Sequence, residues 1–368
     1  MAQSKDVKKT RNTPKFRPAT AVAELRAGRT LYETGGIMPR KPLVYLCSVI
    51  GLAIAAPPAA AQGLMVTGYG NIEFLAQEGG IRTFDAHNLN LIVIGQLRGD
   101  LFAAGEIEYE HGGEEIALEY AYLAFTRWKN VNIVAGKFIV PFGSFNVNHP
   151  AWINKVPGRP FGFDRVLPAT YSDIGVMLRG GLPAGYLSRV TYDIWAVNGL
   201  AGGPGDDLRG MRDNLIDVDA SKFFGGRLGY VARVGLDVGA SIHTGKYNDS
   251  LDLNVTLFGA DAAFQRAGFE LKGEFVQATQ QAPGGDQKKK GYYAQAAYLV
   301  VSWLEPTVRF SQMDFPGASP RDLQEISFGV SAYPSDLGAL RLFFRINKER
   351  SVPETKDNQF IAQFTVGF

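Results

Sequence analysis

The chain has 368 residues, and 38 Lys/Arg against 36 Asp/Glu leave a net charge of only +2. That balance gives no polycationic face, so nucleic acid is not an expected partner. One cysteine excludes a disulfide framework and a thiolate metal centre, and the longest apolar run, the 14 residues from Leu43 to Ala56, is too short for a membrane-spanning helix, which needs roughly 20.

Residues 1–37 carry eight Lys/Arg and three Asp/Glu with no sustained apolar period. They read as an extension that is either not translated or disordered, with Met38 as the true start. Residues 38–61 have the three parts of a secretory signal peptide. Arg40 and Lys41 are the basic part, Leu43 to Ala56 the apolar part, and Ala59, Ala60 and Ala61 the cleavage site. Cys47 lies inside this signal, and Val44, Tyr45 and Leu46 before it do not make a lipid-attachment box. The expected mature chain, 62–368, has 28 Lys/Arg and 33 Asp/Glu, a net charge of about −5 with neutral histidine.

From Gln62 onward the dominant period is two, the signature of strands. Sixteen strands are expected near 64–75, 87–97, 101–110, 115–127, 130–140, 173–181, 185–198, 220–230, 233–244, 251–263, 266–278, 291–301, 304–314, 323–333, 339–348 and 357–368. In several, apolar residues alternate with polar ones. Leu89, Leu91 and Val93 are interleaved with Asn90 and Ile92, and Leu251, Leu253, Val255 and Leu257 with Asp252, Asn254 and Thr256. Placing the apolar set on lipid puts Asn254 in the lumen. The last strand sets Phe360, Ala362, Phe364, Val366 and Phe368 on one face and Gln359, Gln363 and Thr365 on the other.

The connections alternate between short turns, such as Arg98 to Asp100, Trp128–Lys129 and Ser302–Trp303, and generally longer loops. Short turns on one side and long loops on the other describe a transmembrane antiparallel up-and-down β-barrel, all-β, of bacterial outer-membrane type. Sixteen strands enclose a lumen wide enough for water. The longest loop, 141–172, holds five prolines and several aromatic residues. It is the third on its side; a loop of this length is usually functional or disordered, and the aromatic and proline content argues for an ordered, packed one.

Here the chain resembles the phosphate- and polyphosphate-selective porins, family O/P. The resemblance is carried by GKFIVPFG (Gly136 to Gly143), SDIGV (Ser172 to Val176), WAVNG (Trp195 to Gly199), AYLAFT (Ala121 to Thr126) and the terminal Phe368. It covers residues 105–200 well and the last strand moderately. It implies an outer-membrane homotrimer with the third outer loop folded into the lumen, and phosphate selection by basic residues along the pore. Outer-membrane lipid and lipopolysaccharide are then the surrounding partners, with small ions or solutes passing through.

On this reading the pore-constriction and solute-binding candidates are Lys155, Arg159 and Arg165 in the loop, and Arg189, Arg341, Arg345, Glu106, Glu108 and Glu110 on the lumen wall. Rings of Arg/Lys favour anions and rings of carboxylate favour cations. The wall also carries Glu119, Asp193, Asp237, Asp252, Glu270, Glu274 and Glu305, so a general or cation-preferring diffusion pore is the alternative. A plugged structural barrel is another, because Ile92 and Phe343 face inward.

No cofactor and no enzymatic site is expected. His87, His111, His149 and His243 sit at no spacing typical of a metal centre, and no Gly-x-Ser-x-Gly or HExxH motif occurs. Weaker candidates are a Ca²⁺ loop from Asp206, Asp207, Asp213, Asp217 and Asp219, and contact of Lys288, Lys289 and Lys290 with lipopolysaccharide. Amino-terminal sequencing of the protein from outer membranes is expected to start at or near Gln62; a product retaining residues 1–37 overturns the reading of both leading segments.

Overall fold

In a hydrocarbon layer no water satisfies a backbone N–H or C=O, so a spanning sheet must pair every strand on both sides. The computed structural model, which describes residues 63–217, 220–317 and 319–368, meets this requirement with one closed barrel. The expectations for residues 1–62, including the signal and Cys47, and for Asp219 fall outside the described residues.

The strands are β1 (Leu64–Gln77), β2 (Arg82–Arg98), β3 (Leu101–Glu110), β4 (Glu115–Trp128), β5 (Val131–Ile139), β6 (Ser172–Pro183), β7 (Arg189–Val197) and β8 (Phe223–Val231). They continue as β9 (Leu236–Asn248), β10 (Leu253–Arg266), β11 (Phe269–Gln280), β12 (Gln287–Tyr298), β13 (Leu304–Asp314), β14 (Leu323–Ser335), β15 (Gly338–Glu349) and β16 (Gln359–Gly367). Each pairs antiparallel with its sequence neighbours, and β1 pairs with β16 to close the ring. All sixteen expected strands are present, most within four residues of the expected ends.

Closure rests on the last residue as well as on the ladder. The Gly68 amide donates to the Phe368 carbonyl at 3.1 Å, the Phe368 amide donates back at 3.0 Å, and the Thr67 hydroxyl donates to the same carbonyl at 2.6 Å. The Phe368 ring lies over Gly68, where a Cβ would collide with both that ring and the Asn90 carbonyl. A glycine at 68 is what lets the two ends of the barrel meet.

The outer surface is a belt of exposed apolar side chains, among them Leu89, Val93, Leu342, Phe344 and Phe364. Trp128, Tyr230, Tyr298, Trp303 and Phe368 are exposed at the end with the short turns, where aromatic side chains anchor a barrel at the membrane interface. The inner faces carry buried polar groups, including Asn90, Asp193, Arg227, Arg309, Glu325 and Gln363.

Two local expectations are corrected. On β10 the apolar set points inward: Val255 and Leu257 are fully buried, whereas Phe258, Ala260 and Ala262 are exposed on the outer surface. Thr256 shares a 2.7 Å hydroxyl hydrogen bond with its neighbour Thr244 on β9, and Asn254 lies on the same side as Thr256, not in the lumen. The reason is tertiary, because this stretch of wall is covered from inside by the apolar surface of the 140–171 segment. Residues 288–290 are likewise not a loop tip. They lie in β12, and Lys289 is buried, donating to the Gln280 amide oxygen at 2.6 Å.

The corrected register makes a paired prediction. Phe258→Arg puts a charge on the lipid face and is expected to cost ~2–4 kcal/mol near the bilayer midplane. Leu257→Ala opens a cavity against the inner segment and is expected to cost ~2–5 kcal/mol. Urea unfolding in liposomes separates the two, since only the first penalty should deepen as the bilayer is made thicker; two equal responses to thickness would reverse the register.

Candidate functional site

The segment between β5 and β6 leaves and rejoins the wall through a clamp. Asn146 donates from its side-chain amide to the carbonyls of Val140 and Tyr171, 2.8 Å each, and accepts from the Tyr171 amide at 2.9 Å. Asn146 is fully buried, and its side chain reinforces the bond from the Val140 amide to the Tyr171 carbonyl, 3.0 Å, that closes the neck.

Beyond this neck the segment meets inward-facing residues of every strand from β9 to β15. The amides of Ser144 and Phe145 donate to Glu274 of β11 at 3.0 and 2.7 Å, and the Gly143 amide donates to Ser241 of β9 at 3.0 Å. The Phe161 amide donates to Ser311 of β13 at 3.1 Å. Arg309 of β13 and Arg345 of β15 donate to the carbonyls of Gly158 and Pro157 at 3.1 and 2.8 Å. Against β12 the contact is backbone on backbone: a Cβ on Gly162 would strike the Cα of Gly291, and one on Gly291 would strike Gly162.

One half of this contact is apolar. Phe142, Phe145, Phe163, Val166 and Leu167 pack with Val255, Leu257, Val276, Tyr293 and Met313 of the wall. The rings of Phe145, Phe163 and Tyr293 lie 5.2–6.1 Å apart in edge-to-face pairs, the geometry that aromatic quadrupoles favour.

The other half is charged, and it divides the nine expected site residues. Lys155 reaches across to Glu305 at 2.6 Å and Glu270 at 3.2 Å. Arg345 donates to Gln359 and lies 3.2 Å from Glu325, which also binds Arg309 at 2.9 Å. Arg341 donates to Gln363 and Thr365 at 2.9 and 2.8 Å. Arg189 stands at the start of β7, beside a short turn and at the opposite end of the barrel from the clamp.

Arg159 and Arg165 belong to a different group. Arg159 lies 3.8 Å from Asp164, and Arg165 reaches Asp164 at 3.2 Å and Asp207 at 3.1 Å. Residues from the next long connection, 198–222, complete this group. Arg209 binds Asp164 and the Ala169 carbonyl, and Arg212 donates to the Thr170 carbonyl at 2.8 Å. Lys137 of β5 lies 3.9 Å from Asp213. The pKa of Arg209 is pulled down, first by burial and then by the like charges of Arg159 and Arg165, with Asp164 opposing. Five cationic side chains, Lys137, Arg159, Arg165, Arg209 and Arg212, thus meet here with Asp164, Asp207 and Asp213.

The carboxylates of β3 and β4 face this group. Asn90 donates to Glu106 at 3.0 Å and to Glu108 at 3.1 Å, and Asn88 donates to Glu108 at 2.8 Å. Glu119 lies against Glu108, turned inward beside Tyr120 by a bulge in the β3–β4 ladder. Arg159 and Lys137 are close enough to Glu119 to act on it electrostatically, as is His149 on Glu108. Glu110 ends β3 opposite Glu115, within electrostatic range of Arg209.

Sequence reasoning missed Lys137, Arg209 and Arg212. The available signal is the 206–213 stretch, whose two Arg stand among the aspartates of the expected Ca²⁺ loop. In the fold three of these aspartates bind cationic side chains, Asp207 with Arg165 and Arg321, Asp213 with Lys137 and Arg212, and Asp217 with Lys222, while Asp206 accepts from the Gly203 amide. Asp252, expected on the lumen wall, lies in the β9–β10 turn and pairs with Lys246 at 2.7 Å.

Lys155 pins the segment to the far wall. Lys155→Met leaves Glu305 without its cation and Glu270 with Lys272 alone, a loss of about 3 kcal/mol for a buried charge pair. Hydrogen exchange of peptides covering 141–171 is expected to speed up while the barrel strands stay protected. Unchanged exchange in this segment would show that the ion pair does not hold it.

Comparison with known proteins follows the geometry. A family model described as Gram-negative porin matches residues 170–331. An uncharacterized protein of Aquifex aeolicus (strain VF5) is 24% identical over 344 residues, covering 79% of this chain and 77% of that protein. Among solved structures, OmpF of Salmonella typhi in a complex with daunomycin superposes with a TM-score of 0.61 at 14% identity, over 83% of this chain and 97% of that one. The outer membrane channel DcaP of Acinetobacter baumannii gives 0.59 at 12% identity over 85% and 99%, and an anion-selective porin from Comamonas acidovorans gives 0.58 at 13% over 83% and 99%. At these identities the superpositions speak for the fold, and the sequence match within 170–331 agrees with it. The chain forms a transmembrane antiparallel β-barrel of the bacterial outer membrane, and its residues 170–331 are similar to the Gram-negative porins.

Proposed function

We propose that the barrel passes small hydrophilic solutes by passive diffusion and prefers anions, phosphate among them. The observation that carries this is the cation-rich group of Arg159, Arg165, Arg209, Arg212 and Lys137 set against Glu106, Glu108 and Glu119. A solute passing between the two feels a transverse field. Low-dielectric walls focus that field, so a few charges at a narrow point outweigh many on a wide wall. The segment 141–171, folded into the lumen, forms the narrow point. Lys155, Arg341 and Arg345, tied to wall groups, shape it more than they select. The likeness to phosphate- and polyphosphate-selective porins and to an anion-selective porin supports the sign. A homotrimer in lipid and lipopolysaccharide is the proposed assembly, and 38–61 the proposed secretory signal.

Planar-bilayer recording under a KCl gradient tests the sign. The wild type is expected to be anion-preferring, and Arg159→Gln/Arg209→Gln/Arg212→Gln should move the zero-current potential toward cations. The shift should weaken at 1 M salt, where the screening length falls to ~3 Å. A reversal potential that does not move removes these three residues from selection while leaving the channel intact.

A second reading has its own support. Arg309 and Glu325 are fully inaccessible to solvent, and the apolar cluster fills the lumen against β9–β13. A barrel filled this way across its whole section would be a structural plug, and absence of conductance in the same recording would select it.

A further inference from the structure

Asp85, His87 and His111 have an unremarkable sequence spacing, yet the fold gathers them at the rim that carries the long loops. Asp85 and His87 lie near the start of β2, and His111 opens the turn between β3 and β4. Asp85 Oδ2 is 3.0 Å from His87 Nδ1 and 3.0 Å from His111 Nδ1. One donor atom from each residue lies within 4.8 Å of both others, and the two imidazole rings stand edge-to-face with centroids 5.8 Å apart.

Backbone features create this meeting. The β1–β2 ladder shifts register between Asn71↔Asn88 and Glu73↔Asp85, which leaves one more residue on β2 than on β1 and turns His87 beside Asp85. His111 has φ 50, a left-handed conformation that a residue with a Cβ adopts only when its surroundings hold it there.

We propose that Asp85, His87 and His111 bind one divalent transition-metal ion of the imidazole-preferring class, zinc or copper, at the outer mouth of the barrel. The donor set is borderline-soft, two imidazole nitrogens and one carboxylate, which suits these ions better than the all-oxygen shells of calcium or magnesium. Metal–nitrogen and metal–oxygen bonds of about 2.0–2.2 Å around a tetrahedral ion place neighbouring donors roughly 3.3 Å apart. The two carboxylate–imidazole contacts of 3.0 Å are close to that spacing, and the two imidazole nitrogens, within 4.8 Å of each other, close on the ion by side-chain rotation.

Access is open. The side chains are 27–47% exposed, and a hydrated ion reaches them without disturbing the barrel. Three protein donors leave a position for water or for a donor carried by a solute. Glu110 and Glu115, paired at the ends of the flanking strands, add negative charge beside the turn. The bound ion would tie the rim of β2 to the β3–β4 turn. This goes beyond the diffusion reading and stands whichever ions the pore prefers.

The experiment uses the full chain without a polyhistidine tag, chelator-washed and folded in detergent. Calorimetric titration with Zn²⁺ is expected to show one ion per chain, and the electron paramagnetic resonance spectrum with Cu²⁺ to show hyperfine structure from two imidazole nitrogens. His87→Ala and His111→Ala should each weaken Zn²⁺ binding about tenfold or more, and the double variant should abolish it, all with the heat-modifiable gel migration of a folded barrel. No saturable Zn²⁺ binding by the wild type overturns the proposal, and so does unchanged affinity and stoichiometry in the double variant.

Discussion

The requirement that every amide in the hydrocarbon layer find a partner inside the sheet fixes the rest of this molecule. It forces β1 onto β16 and so brings Gly68 under the Phe368 ring. It also forces the side chains to alternate, one face to lipid and one to the interior. The interior must then satisfy its own polar groups, because the wall strands offer their neighbours only side chains.

That second demand is met by crossing contacts. Arg309 and Glu325 pair on adjacent strands, and Arg309 also caps the Gly158 carbonyl of the inner segment. Glu274 accepts two amides from the neck of that segment. Carboxylates and guanidinium groups of the wall thus serve as hydrogen-bonding partners for a loop whose own backbone has almost no regular ladder. The charges of the Arg159 and Arg209 group gather where two connections meet.

Much of this architecture was legible because period two is imposed by lipid, and lipid acts at every strand alike. The β16 faces and the short turns follow directly from it. β10 misled for a physical reason: Val255 and Leu257 answer to Phe142 and its neighbours and not to the membrane. An apolar face says that water is absent without saying which dry phase replaced it. Lys289 misled in the same way, since its ammonium is held inward by Gln280 and lies over the Phe315 ring. At the candidate site, the length and aromatic content of 141–172 singled out a segment that packs against inward-facing wall residues. Which of its cations pair with the wall was not legible, because Lys155 finds Glu305 only through the closure of the whole ring. The meeting of Asp85 with His111 was hidden likewise, since a bulge and a turn rather than a repeat create it.

The inner segment also bears on the order of folding. Its anchoring contacts join residues far apart in the chain: 98 between Gly143 and Ser241, 150 between Lys155 and Glu305, 188 between Pro157 and Arg345. Loop-closure entropy rises with such separations, and non-local contacts of this kind slow folding. The hairpins of β9–β15 supply the surface on which the segment docks, so docking belongs late in assembly. Until then Phe142, Phe145 and Phe163 lack the partners that bury them, and a nascent barrel carries a sticky, unpartnered tongue that has to be kept from other chains.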